Sequence, residues 1–348
     1  MAARADRSPP MRLIFLGTPA FAVPALDRIV AAGHEVVRVV TQPDRPSGRA
    51  QQPTPPPIKE AALRLGLPVY QPERVRRPEA VEHLRALGAE AMVVVGYGQI
   101  LPQVIIDLAP RGIINLHASL LPKYRGAAPI QWAIINGETW TGVTTMQIDA
   151  GLDTGDMLLK QETHILPGET AIELGERLAE MGANLLIETV DGLTQGKIVP
   201  EKQDPANATY APILNKQDGL IDWGQPALAI HNRVRGLQPW PGAYTTFRGR
   251  TLHIWKSRVL FRAGEVGALD IGWVVGQPSV TPEPRPNLAA VKVWPPPAPP
   301  PGRIQMIEPL VVSCGLGALD LLEVQLEGRK RMPAADFARG QRLKLNDV

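Results

Sequence analysis

Short apolar segments of strand length recur through the first half of this sequence, and they constrain the fold more than any other feature. Met11–Leu16 (MRLIFL), Glu35–Thr41 (EVVRVVT) and Ala91–Val95 (AMVVV) are each too short to be buried helices. Segments with helical spacing of apolar residues lie between them, at 20–32, 58–66 and 79–88. Ala91–Val95 has the uninterrupted apolar character of a strand that helices cover on both faces. The sequence therefore predicts an α/β fold with a doubly wound, Rossmann-like sheet.

Two polar residues in the next predicted strand indicate a site. In IINLHASLLPKYRG, Asn115 and His117 stand two residues apart, so both point to the same face at the end of the strand. Ligands of doubly wound sheets bind beyond the carboxyl ends of the strands. The preceding strand ends there in GYGQILPQ, where Gly96 and Gly98 permit a close approach of the backbone to a ligand. An apolar lining for this crevice is expected from Ile100, Leu101 and Leu121.

The loop between the next two predicted strands, at 142–148 and 157–165, adds a carboxylate. Its sequence, DAGLDTGD, has neither the spacing nor the flanking helices of an EF-hand, so we do not interpret it as a calcium loop. The chain also has no G-x-S-x-G motif and no metal-ligand spacing, and its one cysteine, Cys314, is expected in a buried strand. The candidate constellation is Asn115, His117 and Asp153.

An amide, an imidazole and a carboxylate together suit acyl transfer to an external amine. The amide and imidazole would stabilise an oxyanion, and the carboxylate would orient and support the imidazole, while the nucleophile comes with the substrate. Taken singly, each residue also has a structural explanation, as a turn former, a histidine bonded to backbone, or a turn cap.

Length and composition set the domain organisation. A chain of 348 residues favours two domains, and a single cysteine excludes an intrachain disulfide and fits a reducing compartment. The hydrophobic content of 44% is typical of a protein with an ordinary core, and no apolar segment reaches the roughly 18 residues of a membrane span. We expect a cytoplasmic monomer. Its predicted parts are a disordered extension at 1–10, a catalytic domain at 11–193, a linker at 194–212 and a C-terminal domain at 213–348.

The C-terminal domain is predicted to be a small, OB-like β-barrel preceded by a helix at 227–236. The segment 276–302 is rich in proline, which donates no ladder hydrogen bond, so it is interpreted as an extended insertion. Residues 1–205 contain 20 Lys and Arg against 23 Asp and Glu, and residues 206–348 contain 17 against 11. This excess is either ordinary surface variation or a polyanion-binding module. Short runs typical of strands lie at 243–247, 251–255, 272–275, 291–294, 310–313 and 319–324.

Several motifs resemble those of the folate-dependent formyltransferases. NLHASLLP, RGAAPIQ and GLDTGDM include the candidate constellation. The resemblance extends over about 11–265 and 303–342 through MRLIFLGTPAFAVPAL, TQPDRPSGR, GYGQILP, DWGQPALAIHNRVRGLQPWPGAY and GRKRMPAADFARG. The full set is similar to the branch of the family that formylates an aminoacylated tRNA.

The resemblance implies formyl transfer from 10-formyltetrahydrofolate to the amine of methionine esterified to initiator tRNA, with no metal. Asn115, His117 and Asp153 fall on the catalytic positions of the family, and Ser119–Pro122 falls on a segment that contacts the folate. The folate contacts expected from the two loops are Gly96, Tyr97, Gly98, Gln99, Ile100, Ser119, Leu120, Leu121 and Pro122.

The resemblance also places an arginine-bearing loop, Thr41–Pro57, near the acceptor end of the tRNA. The sequence departs from the family here, because Gln51 and Gln52 stand where two lysines are common and Ile213 stands where a lysine is frequent. Fewer cations mean weaker and less salt-sensitive phosphate contact, so the C-terminal domain is expected to bind more of the tRNA. The predicted tRNA contacts are Arg45, Arg49, Arg233, Arg235, Arg248, Arg250, Lys256 and Arg258.

Other functions are weighed against this one. A related enzyme could formylate a ribonucleotide or sugar amine, or hydrolyse a formyl group, with the same three residues, but a small substrate needs neither the Thr41–Pro57 loop nor a basic C-terminal domain. A dinucleotide-binding reductase is disfavoured because GTPAFA is not G-x-G-x-x-G. A noncatalytic RNA-binding protein on a Rossmann-like scaffold would require the constellation to be accidental.

Overall fold

The computed structural model describes residues 9–47, 52–262, 293–294, 300–345 and 347. The predicted strand at 272–275, most of the proline-rich segment and of the 1–10 extension, Arg49 and Gln51 lie outside the described residues. The chain divides into two compact units. Unit 1 comprises Met1–Pro129, Trp140–His164 and Glu173–Pro212, and unit 2 comprises Ile130–Thr139, Ile165–Ile172 and Ile213–Val348.

The strands of unit 1 are β1 (Arg12–Gly17), β2 (Glu35–Val40), β3 (Arg45–Ser47), β4 (Gln52–Thr54), β5 (Val69–Tyr70), β6 (Ala91–Val95), β7 (Ile113–His117), β8 (Arg125–Gly126), β9 (Trp140–Gln147), β10 (Met157–His164) and β11 (Tyr210–Ala211). Seven of them form one mixed sheet in the order β10-β9-β7-β6-β1-β2-β5. The strands from β7 to β5 in this order are parallel, and β9 and β10 continue the sheet as antiparallel strands.

The order of strands reverses between β1 and β6. From β1 the chain continues outward through β2 to β5, and it then returns to the other side of β1 to add β6 and β7. The register pairs Leu13 with Ala91 in β6, and every residue of β6 is buried. In such sheets a crevice opens beyond the strand ends at the point of reversal. The loops that follow β1 and β6 are joined there, because the Thr18 hydroxyl donates to the Tyr97 carbonyl at 2.8 Å.

Local sequence explains where the helices begin and end. In α2 and α3, Pro57 and Pro78 occupy the first helical position, where a missing N–H costs no hydrogen bond. Acidic residues lie in the first turn of both helices and basic residues in the last, as the helix dipole favours. The helices are α1 (Val23–Ala31), α2 (Pro57–Arg64), α3 (Pro78–Ala86), α4 (Gln103–Ile106), α5 (Pro129–Ile135), α6 (Ala171–Thr194), α7 (Ala227–Gly236) and α8 (Ala334–Gln341).

Two short ladders in unit 1 were not expected from the sequence. The segment Thr41–Pro57, predicted to be a loop, contains the antiparallel pair β3–β4. The second ladder joins β8 to β11 in parallel, with Arg125 opposite Tyr210 and Gly126 opposite Ala211. The prediction missed both ladders because strands of two or three residues carry no recognisable periodicity.

Unit 2 contains an antiparallel half-barrel sheet in the order β12-β13-β17-β16-β15, with β14 paired to β13 and β18 to β17. Ile230 and Val234 of α7 and Phe337 of α8 pack into its apolar core. Cys314 lies in the same core, and burial raises the pKa of its thiol to about 12, so the prediction of a buried cysteine is confirmed. These strands are β12 (Ala243–Phe247), β13 (Arg250–Arg262), β14 (Val293–Trp294), β15 (Ile304–Met306), β16 (Leu310–Ser313), β17 (Ala318–Leu326) and β18 (Met332–Pro333).

The predicted fold class is confirmed, with a Rossmann-like sheet followed by a second, β-rich module. The predicted and observed bounds of the strands agree at Ala91–Val95 and at Ala243–Phe247. Cys314 follows β16 rather than lying within it. Among the described residues, no helix combines the length and apolarity that crossing a membrane requires.

Candidate active site

Asn115 and His117 lie in β7, between parallel β6 and antiparallel β9. Asn115 pairs with Met146 and His117 with Thr144, so both residues belong to the regular part of the ladder. Asn115 is 9% exposed and His117 6%. Within the described parts of the chain, the Asn115 side chain makes no protein hydrogen bond, and its amide is therefore free to bind another group.

One backbone carbonyl determines which nitrogen of His117 carries a proton. Nε2 of His117 lies 2.9 Å from the carbonyl oxygen of Tyr124, and a carbonyl oxygen can only accept, so Nε2 is the donor. Nδ1 therefore faces Asp153, with 3.6 Å between Nδ1 and Oδ2. This contact is attractive only when a proton resides on Nδ1 or on the carboxyl group. Nδ1 of the imidazole and Oδ2 of the carboxylate are thus the two atoms that face each other.

Asp153 is held in the left-handed region of backbone conformation, with φ of 51°. Its Oδ2 accepts a hydrogen bond from the backbone N–H of Gly126 at 2.8 Å, which aims the carboxylate at His117. The neighbouring Gly155 cannot be larger, because a Cβ there would lie 1.9 Å from the carbonyl oxygen of Gln147. Asp149 braces the start of the loop by accepting from Gly151 N–H and the Thr154 hydroxyl. The loop between β9 and β10 thus fixes one carboxylate beside one imidazole.

Two buried polar residues near Asp153 were missed by the sequence analysis. Arg125 is 5% exposed and Gln203 is 9% exposed. Arg125 donates to Oε1 of Gln203, and Nε2 of Gln203 donates to the carbonyl oxygens of Asp153 and Gly155. Arg125 lies in a motif that the sequence analysis quoted, but Gln203 lies in the predicted linker, where no sequence pattern identifies it.

The first predicted folate loop, after β6, lies at the reversal point of the sheet. Gly96 and Gly98 are exposed and have positive φ, as an approach of the backbone to a ligand requires. Tyr97 is buried between them, burial raises the pKa of its phenol, and its carbonyl accepts from the side chains of Thr18 and Gln42. The backbone of this loop is therefore held firmly.

An open groove of about 280 Å³ has part of this loop on its wall. Gln99 and Ile100 contribute to it together with Gln42, Arg74 and Arg76. Ile100 is 92% exposed, so its side chain is available to an incoming apolar surface.

The second predicted folate loop, after β7, is anchored by its own side chains. The Ser119 hydroxyl donates to the Lys123 carbonyl at 2.6 Å, and the Thr144 hydroxyl donates to the Ser119 carbonyl at 2.7 Å. Leu121 is 2% exposed and packs with Met146 and Met157. In this structure Ser119 and Leu121 therefore shape the loop with their side chains, and only Leu120 and Pro122 are partly exposed.

The structure does not bring the expected apolar lining together. Ile100 is exposed, Leu101 packs against the core beneath β6, and Leu121 is enclosed in a separate small cluster. The alternation of apolar residues along the loops could not reveal this, because which side of a loop faces the core depends on its tertiary neighbours.

The predicted tRNA contacts differ widely in accessibility. Arg45 lies in β3, its side chain is 66% exposed, and its guanidinium is 3.8 Å from the carboxylate of Glu73. Lys256 is exposed on β13. Arg258 is also exposed there but pairs with the buried carboxylate of Asp320 at 2.6 Å.

Arg235 must be removed from the predicted set. It is 8% exposed, and it donates to Oδ1 of Asn232 and to the carbonyl of Glu169 inside unit 2. Burial lowers the pKa of its guanidinium. The sequence analysis selected it by charge alone, and charge does not report burial. The other C-terminal members of the predicted set are Arg233, Arg248 and Arg250, and the side chain of each donates to a backbone carbonyl.

In the described part of the chain, no group of three or more His, Cys, Asp or Glu side chains could hold a metal ion. The chemistry available is that of an amide, an imidazole and a carboxylate at the carboxyl end of β7. These groups suit stabilisation of an oxyanion and movement of one proton.

Comparison with known proteins identifies the class that this fold and site define. The profile of the formyl transferase family matches residues 11–190, and the profile of the formyl transferase C-terminal domain matches residues 213–342. The chain belongs to the formyl transferase family and is an enzyme of that family.

Comparison of whole chains narrows the assignment within the family. The chain is 64% identical over 337 residues to the methionyl-tRNA formyltransferase of Solibacter usitatus (strain Ellin6076), covering 97% of this chain and 98% of the relative. It is 50% identical to the methionyl-tRNA formyltransferase of Acidobacterium capsulatum, covering 96% and 97%. Within its family the chain therefore belongs with the methionyl-tRNA formyltransferases.

A solved structure supports the fold independently. An N-formyltransferase from Helicobacter canadensis, in complex with folinic acid and dTDP-3-aminofucose, superposes with a TM-score of 0.59 at 17% identity. The match covers 89% of this chain and 99% of that chain. At this identity the likeness concerns the fold alone.

Proposed function

We propose that the enzyme transfers the formyl group of 10-formyltetrahydrofolate to the free amine of methionine on initiator tRNA, giving formylmethionyl-tRNA for translation initiation. The observation that carries the proposal is the pairing of His117 with Asp153 beside Asn115, in a chain 64% identical to a methionyl-tRNA formyltransferase. The proposed enzyme is a monomer and acts in the cytoplasm. A single buried cysteine suits the reducing conditions of the cytoplasm.

Asn115 and His117 would stabilise the oxyanion that forms when the methionyl amine attacks the formyl carbon. The Asn115 amide has donors free, and the imidazole can donate from Nδ1 when that nitrogen is protonated. Preorganised donors of this kind supply the largest single contribution in many acyl transfers. The Tyr124 carbonyl keeps the ring from rotating, because its oxygen accepts from Nε2–H with 2.9 Å between Nε2 and the oxygen.

Asp153 would manage the proton of the attacking amine. The amine loses one proton as its bond to the formyl carbon forms, and the folate nitrogen gains one as its bond to that carbon breaks. Asp153, directly or through a water, would take up the first proton and return it to the departing nitrogen. Before it takes up that proton, the carboxylate would stabilise a protonated His117, whose positive charge would balance the developing oxyanion.

The folate fits the reversal point of the sheet. The exposed backbone of Gly96 and Gly98, with Gln99 and Ile100 on the wall of the neighbouring groove, offers polar backbone groups and an apolar side chain to a flat heterocycle. Tyr97 and Ser119–Pro122 would keep the two loops in place. Both loops lie at the carboxyl ends of β6 and β7, and so the formyl group would lie near Asn115.

The tRNA would contact cations of both modules. Arg45 and Arg49, which belong to the Thr41–Pro57 segment, would lie near the acceptor end. A C-terminal domain at 213–348 would bind the body of the tRNA, and a domain at 11–193 would carry catalysis, with 194–212 between them. The proposed C-terminal contacts are Arg233, Arg248, Arg250, Lys256 and Arg258.

The deciding experiment measures transfer of radiolabelled formyl from 10-formyltetrahydrofolate to charged initiator tRNA. Charged elongator tRNA, a ribonucleotide amine and an amino sugar serve as competing acceptors. We expect labelling of initiator methionyl-tRNA at least a hundredfold above each competitor, since a site built for one substrate rejects analogues that leave its polar groups unpaired. Equal labelling of a small amine would favour the related enzyme instead.

A further inference from the structure

We propose that Gln203, locked by Arg125, is a positioning residue that holds Asp153 in its working conformation. The inference rests on the proposed role of Asp153 in formyl transfer. It concerns two residues outside the three catalytic positions, one in β8 and one in the segment that approaches β11.

The amide of Gln203 can adopt only one orientation. Arg125 donates from Nε and from one terminal nitrogen to Oε1 of Gln203, at 3.1 and 2.7 Å. A guanidinium has no acceptor, so the atom that faces it must be the amide oxygen. Nε2 then faces the carbonyl oxygens of Asp153 and Gly155, each at 2.8 Å. Because carbonyl oxygens cannot donate, rotating the amide by half a turn would break all four hydrogen bonds.

The two carbonyls belong to the part of the loop that most needs support. Asp153 has φ of 51°, a conformation that costs free energy for a residue with a side chain. Such conformations persist only where the surrounding structure overdetermines them, and catalytic groups are often held in this way. Gln203 fixes the backbone on both sides of Thr154, while the Gly126 N–H fixes the carboxylate itself. The direction of Oδ2 toward His117 therefore depends on both contacts.

Arg125 is placed to serve Gln203 and not a substrate. The residue is 5% exposed, and its guanidinium donates to a neutral amide oxygen. A buried guanidinium strongly favours a partner that accepts two hydrogen bonds, so Arg125 restricts Gln203 to one rotamer. The backbone of Arg125 continues into Gly126, whose N–H binds Asp153. Strand β8 thus supports the Asp153 carboxylate in two ways, through the contact of Arg125 with Gln203 and through the N–H of Gly126.

The same chain segment also supports the imidazole. The hydroxyl of Thr209 accepts from the backbone N–H of Tyr124 at 2.8 Å, and Tyr124 is the residue whose carbonyl binds His117. Gln203 and Thr209 lie six residues apart in one segment that ends in β11. The segment predicted to be a linker is therefore in contact with the backbone that holds both catalytic side chains.

The principal variant is Gln203→Met, which keeps the length of the side chain and removes all its hydrogen-bonding atoms. Glu201→Gln is the matched control, because it changes an exposed side chain two residues away. We expect kcat to fall roughly a hundredfold in Gln203→Met, as a displacement of about 1 Å would cause, with the KM for folate and for tRNA little changed. Glu201→Gln should retain wild-type turnover.

Coupling to Asp153 separates positioning from general stability. If Gln203 acts through Asp153, adding Gln203→Met to Asp153→Asn should reduce turnover by less than about threefold beyond Asp153→Asn alone. A full hundredfold further loss would overturn the inference, because it would show that Gln203 acts elsewhere. A rise in KM at unchanged kcat in the single variant would overturn it as well.

A measurement without substrates keeps the inference distinct from the proposed function. Hydrogen exchange of the peptide containing Gly126 reports on Asp153, since its carboxylate protects that N–H. We expect exchange about tenfold faster in Gln203→Met than in wild type or Glu201→Gln. Unchanged exchange would overturn the inference even if the enzyme formylates methionyl-tRNA. Absence of formylation by the wild-type enzyme would instead defeat the proposed function.

Should Gln203→Met fail to fold, Gln203→Glu provides the same test. A carboxylate keeps the contact with Arg125 and presents an acceptor to the two carbonyls, so the hold on Asp153 is lost while the buried charge stays paired. Faster exchange at Gly126 is again the supporting result. Exchange at the wild-type rate in this variant would overturn the inference.

Discussion

The proton on Nε2 of His117 is fixed by a contact that involves no substrate. The Tyr124 carbonyl selects this tautomer, and it leaves Nδ1 and the Asn115 amide as the groups that can change partners during a reaction. Asn115 and His117 lie two residues apart on β7, so a single developing charge can be met by both side chains. Each residue can therefore be tested separately.

Replacing Asn115 with Ala should reduce kcat by roughly 10²–10³, or about 2.7–4 kcal/mol, because one oxyanion donor is lost. The affinity for folate should change little, since the donor acts mainly in the transition state. Steady-state kinetics and a binding titration measure both quantities. Asn207→Ala, at an exposed position, is the control and should behave as wild type. Wild-type turnover in Asn115→Ala would contradict the oxyanion assignment.

Replacing Asp153 with Asn should leave the fold intact and reduce turnover severely. The amide can still accept from Gly126 N–H, but it lacks the charge that stabilises a protonated imidazole. A thermal melt beside the kinetic assay distinguishes the chemical role from a structural one. Asp149→Asn is the comparison, because its amide oxygen can keep both loop hydrogen bonds. Unfolding of Asp153→Asn with retained activity in the folded fraction would favour a purely structural cap.

At the scale of elements, α7 carries a histidine whose protonation opposes folding. The ring of His231 accepts or donates at 3.0 Å to the Ser257 hydroxyl of β13. Burial, reinforced by the positive charge of Arg235, lowers the pKa of His231 to about 4. Because the ring stays neutral in the folded chain, protonation of the same histidine in the unfolded chain favours unfolding.

The stability of the enzyme should consequently fall between about pH 6.5 and pH 4. In this window the unfolded chain binds a proton at position 231 and the folded chain does not, so unfolding becomes more favourable as the pH falls. The contribution reaches up to about 3 kcal/mol at the lower end. Urea unfolding of wild type and His231→Asn at several pH values measures it. If the free energies of unfolding of wild type and His231→Asn differ by the same amount at every pH from 7 to 4, His231 does not titrate as described.

At the scale of the whole molecule, affinity for a polyanion should depend on exposed cations and not on total charge. Lys256→Ala should raise the KM for tRNA without much change in kcat at saturation, because a phosphate contact contributes uniform binding. It should also flatten the salt dependence of binding by about one unit of log–log slope. A salt series of tRNA affinity, measured with kinetics, gives both numbers.

Arg235→Met offers the matched contrast to Lys256→Ala. Both variants lose one positive charge, but Arg235 is buried and bonded inside unit 2. Its replacement should lower the melting temperature and leave the salt slope unchanged. Equal flattening of the slope in both variants would mean that net charge alone governs binding.

The sequence by itself determined the fold class, because continuous apolar runs such as Ala91–Val95 can be buried only as strands between helices. It also identified the strand that carries Asn115 and His117, since two polar residues on one face at the end of an apolar strand indicate a site. The family followed from motifs that span most of the chain. Each apolar run, polar pair and motif is a local property, because it is encoded within one segment of the sequence.

Only the tertiary structure decided which residues meet. Gln203 reaches Asp153 across 50 positions of sequence, and the Tyr124 carbonyl selects a tautomer that no composition could indicate. The same holds for Arg235, which resembles its neighbours in sequence but is buried, and for Leu121, which is enclosed while Ile100 is exposed. Hydrogen bonds and burial depend on how distant segments pack, and a linear pattern reports which residues can interact but not which of them do.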